Sequence, residues 1–154
     1  MMIVKESPLI LNEFLLLNSS YEFIEPKAEN GIDINDVYKK YLVDIDYSIQ
    51  GDENNANIFV KVEVNNAEDK KCGYSLIFEG VGIFGFNEDS DLNKEEKGNL
   101  IFYSAISICI SNLRAIIANI TAYGPFGRYT LPSIDLNHLI ASKSEKNGNK
   151  EQKE

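Results

Sequence analysis

The chain has 154 residues, the usual size of one domain, and its 44% hydrophobic and 25% charged residues are ordinary for a globular protein. Fifteen Lys and Arg against 24 Asp and Glu leave a formal charge of −9, which repels nucleic acid and anionic membrane surfaces at long range. Two cysteines, Cys72 and Cys109, each inside an apolar run, exclude a disulfide framework and fit a reducing, cytoplasmic setting.

At the amino end Pro8, Asn12 and Glu13 interrupt the apolar stretch Leu9 to Leu17 and no small-residue cleavage site follows, so no signal peptide is expected. Pro8 to Ile24 reads as a strand that stops at Glu25-Pro26. Lys27 to Lys40 is polar, with Gly31 and Asp33 as turn formers, and reads as a loop. From Tyr41 to Gln50, Val43, Ile45, Tyr47 and Ile49 alternate with Asp44, Asp46 and Ser48, which predicts a strand with one buried face. After the turn cluster Gly51 to Asn55, Ile58, Val60, Val62 and Val64 alternate again, and a turn over Asn65 to Lys71 leads to a third run, Cys72 to Phe86. Short turns between alternating strands imply an antiparallel meander, since parallel strands need long crossovers.

Asn87 to Gly98 reads as an acidic loop. Asn99 to Tyr123 carries one charge, Arg114, and no internal Gly or Pro, which predicts a long helix closed by Gly124-Pro125. Its apolar length suits a membrane span, but a central Arg costs about 2.5–3.5 kcal/mol there, and the preceding strands have soluble patterning, so no membrane insertion is expected. One sheet covers one side of a helix; the stripe Ser104, Ser107, Ser111, Ala115 and Ala118 is small enough for a second helix to approach, which predicts an oligomer. A shorter helix follows over about Ser133 to Ala141, with Ser133 as N-cap, and residues 142–154 read as a disordered charged tail beyond a domain of residues 1–141.

Three patterns imitate chemistry. Gly80, Gly82 and Gly85 spell G-x-G-x-x-G, but Ile83, Phe84 and Phe86 continue a strand where a phosphate-binding helix would have to begin, so the glycines read as bulges. Asp89, Asp91 and Asn93 open like a calcium loop, yet Lys94 stands where the turn needs Gly and Leu100 where the bidentate Glu belongs. His138 is the only histidine, so a Ser-His-Asp arrangement would have to use it, with Asp135 one turn before it; no nucleophile elbow accompanies the pair. No metal and no cofactor is expected.

Ile110-Ser111-Asn112-Leu113 resembles the Ile-Ser-Asn-Leu of the long helix in the SecB family of export chaperones. Leu131-Pro132-Ser133-Ile134-Asp135-Leu136-Asn137-His138-Leu139 resembles that family's closing Leu-Pro-Pro-Ile-Asn-Phe-Asp-Ala-Leu run, Gly82-Ile83-Phe84 its Gly-Ile-Phe, and Phe23 with Pro26 its early Phe-x-x-Pro. The resemblance covers roughly residues 8 to 141. Phe102 to Ser107 lacks the proline and arginine of the family's Phe-Pro-Tyr-Ala-Arg, and Gly124-Pro125-Phe126-Gly127 departs from Gly-Phe-Pro.

The resemblance implies an α+β fold, a four-stranded antiparallel sheet with one long and one short helix on one face, assembled as a homotetramer, a dimer of dimers. It implies ATP-independent binding of unfolded polypeptide clients, for export or for protection of a dedicated partner such as an antitoxin, and docking of the translocase ATPase SecA. At the SecA-docking positions this chain has Ser20, Ile24 and Ile77, with Glu22, Glu25 and Glu79 beside them. Eight Phe and eight Tyr supply contact area for such clients at small entropic cost. The candidate groove residues are Tyr38, Tyr41, Phe84, Phe86, Tyr123, Phe126 and Tyr129. The rival readings are an assembly protein on the same fold, without client affinity, and a small-ligand enzyme using His138.

Overall fold

The computed structural model describes residues 1–27 and 31–151. Its elements run β1 (Leu9–Ile24), α1 (Ile34–Tyr38), β2 (Val43–Gly51), β3 (Asn55–Val64), β4 (Gly73–Phe86), α2 (Lys94–Asn99), a π-helical stretch Leu100–Ala105, α3 (Ile106–Thr121) and α4 (Leu136–Glu151). The four strands form one antiparallel sheet in the order β1-β4-β3-β2. The meander β2-β3-β4 is the expected one, and β1 adds to its far side, so β1 and β2 are the two edges.

Register assigns the faces. Ile58, Val60, Val62 and Val64 of β3 pair with Gly82, Gly80, Phe78 and Leu76 of β4, and all the side chains among them are buried on the side that carries the helices. The alternating Val43, Ile45, Tyr47 and Ile49 of β2 lie opposite Val64, Val62, Val60 and Ile58 on that same side. Against them α3 buries Ile106, Cys109, Ile110, Leu113, Ile117 and Thr121. Each fully buried Leu or Ile contributes about 1.5–3 kcal/mol, so this one helix face is a principal tie to the sheet.

The β3–β4 turn depends on Asn65, which adopts φ 52°, a left-handed conformation that Asn tolerates. Its buried amide donates to the Lys71 and Tyr74 carbonyls, and its Oδ1 accepts from Lys71 N–H.

Several elements depart from the sequence expectations. The 27–40 connection holds the short helix α1, capped by Asp33, whose carboxylate accepts from Asn35 N–H; residues 28–30 of that connection lie outside the described residues. Helix begins at Lys94, inside the expected acidic loop, because Asn93 and Glu96 form a reciprocal capping box. That is the role of the residue which closes the calcium-like motif. From Lys94 to Thr121 the chain is helical for 28 residues, long and apolar enough to cross a membrane, yet α3 lays one face on the sheet. Arg114 anchors a neighbouring segment: its Nε donates to the Leu131 carbonyl at 3.1 Å and its Nη2 to that of Pro132 at 3.1 Å.

The glycines of β4 are not the bulges. The register shifts lie across the ladder in β1, between Leu11 and Glu13 and between Leu16 and Asn18. Gly82 is required by close approach, since a Cβ there would stand 2.5 Å from Cys109 Sγ and 2.6 Å from Phe84 Cε2.

The last helix starts later and ends later than expected. Asp135, not Ser133, accepts from His138 N–H as its cap, and the helix continues past Ala141 to Glu151. Residues 142–151 are therefore helical, and only 152–154 of the expected tail lie outside the described residues. Lys and Glu are good helix formers, and side-chain contacts hold the extension: Lys143 pairs with Asp46 of β2, and Ser144 Oγ donates to the Ile140 carbonyl.

Candidate functional site

The two edges of the sheet differ. On the helix-side flank of β2, Ile134, Asp135 and, from α4, His138, Leu139, Ser142 and Lys143 line an open cavity with Val43 to Asp46, and Lys143 pairs with Asp46. The same flank of β1 is left open. Leu11, Phe14, Leu16, Tyr21 and Phe23 point to the helix side, opposite Phe84, Gly82, Gly80, Leu76 and Tyr74 of β4, yet Leu11, Leu16 and Tyr21 are 36%, 43% and 40% exposed. The π-helical stretch adds Phe102 and Tyr103, 40% and 50% exposed, where it packs beside β1. Within the π stretch Ile106 N–H reaches back to the Ile101 carbonyl, and such wide turns recur at functional sites. The result is an apolar strip on this flank, carrying exposed aromatic side chains beside an edge strand.

At one end the strip meets an aromatic cluster. Tyr21 lies 5.5 Å from Tyr74, centroid to centroid, Phe23 lies 5.5 Å from Phe126, and Tyr38 packs on Tyr74, Tyr41 and Tyr129 at 6.2, 5.5 and 5.1 Å. Hydroxyls fix the cluster to backbone. Tyr74 Oη donates to the Gly127 carbonyl at 2.9 Å and accepts from Phe126 N–H at 3.0 Å, while Tyr41 Oη donates to the Cys72 carbonyl and accepts from Tyr74 N–H. Tyr38 Oη donates to the Phe126 and Gly127 carbonyls. Thr121 Oγ1, buried at the end of α3, accepts from Tyr129 N–H. Burial raises the Tyr38 and Tyr41 phenols, Tyr41 to about 12, so both stay neutral donors across the physiological range. Glycine is required at Gly124, where a Cβ would stand 2.4 Å from Tyr74 Oη and 2.6 Å from Tyr21 Oη.

The seven candidate groove residues thus separate. Tyr38, Tyr41, Phe126 and Tyr129 come together, but Tyr41 and Tyr129 are buried in the core and only Tyr38 and Phe126 are half-buried. Beside them an open cavity of about 400 Å³ is lined by Tyr38, Tyr41, Tyr129, Val43 and Pro132. Phe84 does not belong with them: it is wholly buried in the core next to Gly82 and has no surface to offer a client. Phe86 sits half-buried near the start of β1, opposite Leu9, with Lys97 Nζ 5.3 Å from its ring. Tyr123 is almost fully exposed after α3. Sequence reasoning missed Tyr74, the centre of the cluster, and the strip residues Leu11, Leu16, Tyr21, Phe102 and Tyr103. The signal for the strip was present as an aromatic pair opening the long helix and an unusually apolar first strand.

Of the small stripe, Ser111 and Ala115 are exposed and Ser107 and Ala118 half-exposed on α3, and Ser104 is half-exposed in the π-helical stretch before it. His138 is exposed on α4, and Asp135 accepts from its backbone N–H, not from the imidazole. Cys109 is buried and its thiol is pushed up to about 11 by that burial, which leaves it a packing residue. Of the acids beside Ser20, Ile24 and Ile77, Glu22 pairs with Lys70 at 3.0 Å and Glu79 with Lys61 at 3.7 Å.

An open four-stranded antiparallel sheet carrying a long helix and a C-terminal helix is the SecB-like fold. A solved structure with that fold, the Mycobacterium tuberculosis Rv1957 SecB-like chaperone in complex with a ChAD peptide from the Rv1956 HigA1 antitoxin, is similar to this chain with a TM-score of 0.59 at 13% identity. The match covers 83% of this chain and 91% of that one. A protein of unknown function from Streptococcus agalactiae is similar at a TM-score of 0.44 and 12% identity, over 81% of this chain and 97% of the other. No protein-family model and no curated protein matches the sequence.

Proposed function

We propose that this protein is an ATP-independent chaperone that binds unfolded or non-native polypeptide along the open flank of β1 and over the half-buried Phe23, Tyr38 and Phe126 at the rim of the aromatic cluster. The carrying observation is the strip itself: Leu11, Leu16, Tyr21, Phe102 and Tyr103 stay exposed on the helix side of an edge strand, beside anchored tyrosines. Large rigid aromatics give contact area at small entropic cost, and the charge of −9 keeps a patch-bearing protein soluble. The likeness to a SecB-like chaperone holding an antitoxin peptide favours the same reading, with an exported preprotein or a dedicated antitoxin as client. The role is non-catalytic and cytoplasmic, with no nucleic acid, cofactor or membrane insertion involved. SecA docking would have to use Glu22, Glu25 and Glu79, two of which already face lysines.

We also propose assembly through the small stripe on α3, as a homotetramer built as a dimer of dimers. The exposure of Ser111 and Ala115 supports that assembly and equally supports the rival reading of a scaffold without clients. Dilution of a chemically unfolded model protein separates the two. The chaperone suppresses its aggregation without nucleotide, and Leu16→Ser with Tyr103→Ser loses most of that effect while oligomer mass is unchanged. A wild-type protein that leaves aggregation unaltered refutes the proposal.

A further inference from the structure

The cavity beside the aromatic cluster has a chemistry that the apolar strip lacks. It lies where α1, the start of β2 and the segment after α3 meet, and its wall of Tyr38, Tyr41, Tyr129, Val43 and Pro132 is flanked by Lys39 and Arg128. No carboxylate lines it among the described residues. The four other cavities described each contain at least one: Asp46 and Glu79; Asp44, Asp46 and Asp135; Asp52 and Glu53; and Glu6, Asp89 and Asp91. On a chain of net charge −9 this is a local reversal of sign. Lys39 has one partner, Asp36 at 3.5 Å on the exposed surface of α1, and Arg128 forms no ion pair among the described residues. The Tyr38 and Tyr41 hydroxyls are already committed to the Phe126, Gly127 and Cys72 carbonyls. Tyr41 and Tyr129 are buried and form the floor of the cavity, its reachable apolar wall is Tyr38, Val43 and Pro132, and anion recognition falls to the two cations.

We propose that this cavity takes an acidic residue of the bound polypeptide together with an adjacent aromatic or aliphatic side chain, the ring or alkyl group against Tyr38, Val43 and Pro132 and the carboxylate against Arg128 and Lys39. About 400 Å³ lies within the range of built ligand pockets, and Arg offers a carboxylate a two-pronged donor. The inference rests on the polypeptide-binding reading above and adds to it a preference of sign. That preference is diagnostic, because the net charge of the chain alone would draw in a basic segment.

Two short fluorescent peptides test it, sharing one Phe-, Leu- and Tyr-containing core and flanked by Glu in one and by Lys in the other, with affinities read by anisotropy. The wild type is expected to bind the acidic peptide about tenfold tighter, the size of one good charge-assisted contact. In Lys39→Gln/Arg128→Gln, whose substituted side chains are exposed and whose melting should match the wild type, the preference disappears while the basic peptide binds as before. A wild type that binds both peptides without preferring the acidic one, or a preference unmoved in the variant, overturns the inference and leaves the polypeptide-binding reading standing. Failure of both peptides to bind overturns that reading as well.

Discussion

Tyr74→Phe removes one oxygen from the centre of the aromatic cluster and leaves every ring in place. Three groups touch that oxygen: the Gly127 carbonyl at 2.9 Å, the Thr121 carbonyl at 3.3 Å and Phe126 N–H at 3.0 Å. Two of them have a second partner, because Tyr38 Oη also donates to the Gly127 carbonyl and Gly124 N–H donates to that of Thr121. Only Phe126 N–H is orphaned, at a cost of about 1–3 kcal/mol. For a domain of this size each kcal/mol lowers the melting midpoint by about 2–4 °C, so about 2 kcal/mol corresponds to a drop of about 4–8 °C by circular dichroism. Tyr38→Phe alone leaves the Gly127 carbonyl with Tyr74. The double variant strips both donors from it, so the combined loss exceeds the sum of the single losses. Tyr123→Phe, on an exposed ring, serves as the neutral control. A Tyr74→Phe midpoint within about 1 °C of wild type, or strictly additive losses, would refute this description of the cluster.

Further expectations follow from other contacts. Gly82→Ala drives a methyl into Cys109 Sγ and Phe84 and should cost about 1–3 kcal/mol by thermal melting; Cys109→Ala should restore part of that loss. Native protein at pH 8 should titrate Cys72 with a thiol reagent while Cys109 reacts only after denaturation, since Cys109 is buried and its thiol is pushed up to about 11. Burial alone would raise the Asp46 carboxyl, but the Lys143 ammonium and Tyr47 N–H outweigh it and hold it below the usual carboxylate range. A carboxyl lowered on folding stabilises above its unfolded pKa and loses that contribution as pH falls through the folded value. Protection factors for amide exchange in the second half of α4, referred to the intrinsic rate at each pH, should therefore fall below about pH 4, and Asp46→Asn should show the lowered protection already at pH 7.

The sheet was largely legible because its inner strands obey a period of two. Val43, Ile45, Tyr47 and Ile49 share the helix side as their alternation required, as do Ile58 to Val64. In β1 the shifts after Leu11 and Leu16 break that period, so its many leucines could not be assigned to faces by counting, and the open flank stayed hidden. The π-helical stretch has no sequence signature of its own within a continuous apolar run. Tyr38, Tyr41, Phe126 and Tyr129 stood out in the sequence as aromatics outside the regular strands, but Tyr41 and Tyr129 pack into the core and Tyr38 ends α1. Tyr74 and Phe84 sit on one strand, both pointing to the helix side and both wholly buried; only the tertiary placement of the Gly124–Tyr129 segment distinguishes the centre of a cluster from plain core. The extension of α4 was missed because a polar helix is visible only through its partners, here Asp46 on β2.

Binding of non-native polypeptide by this chain is read from native mass by light scattering on a sizing column, with and without an equimolar unfolded client. A tetramer of 17.3 kDa protomers that gains the mass of one client without nucleotide is the expected result. An unchanged mass, with the client eluting apart or aggregating, would contradict it.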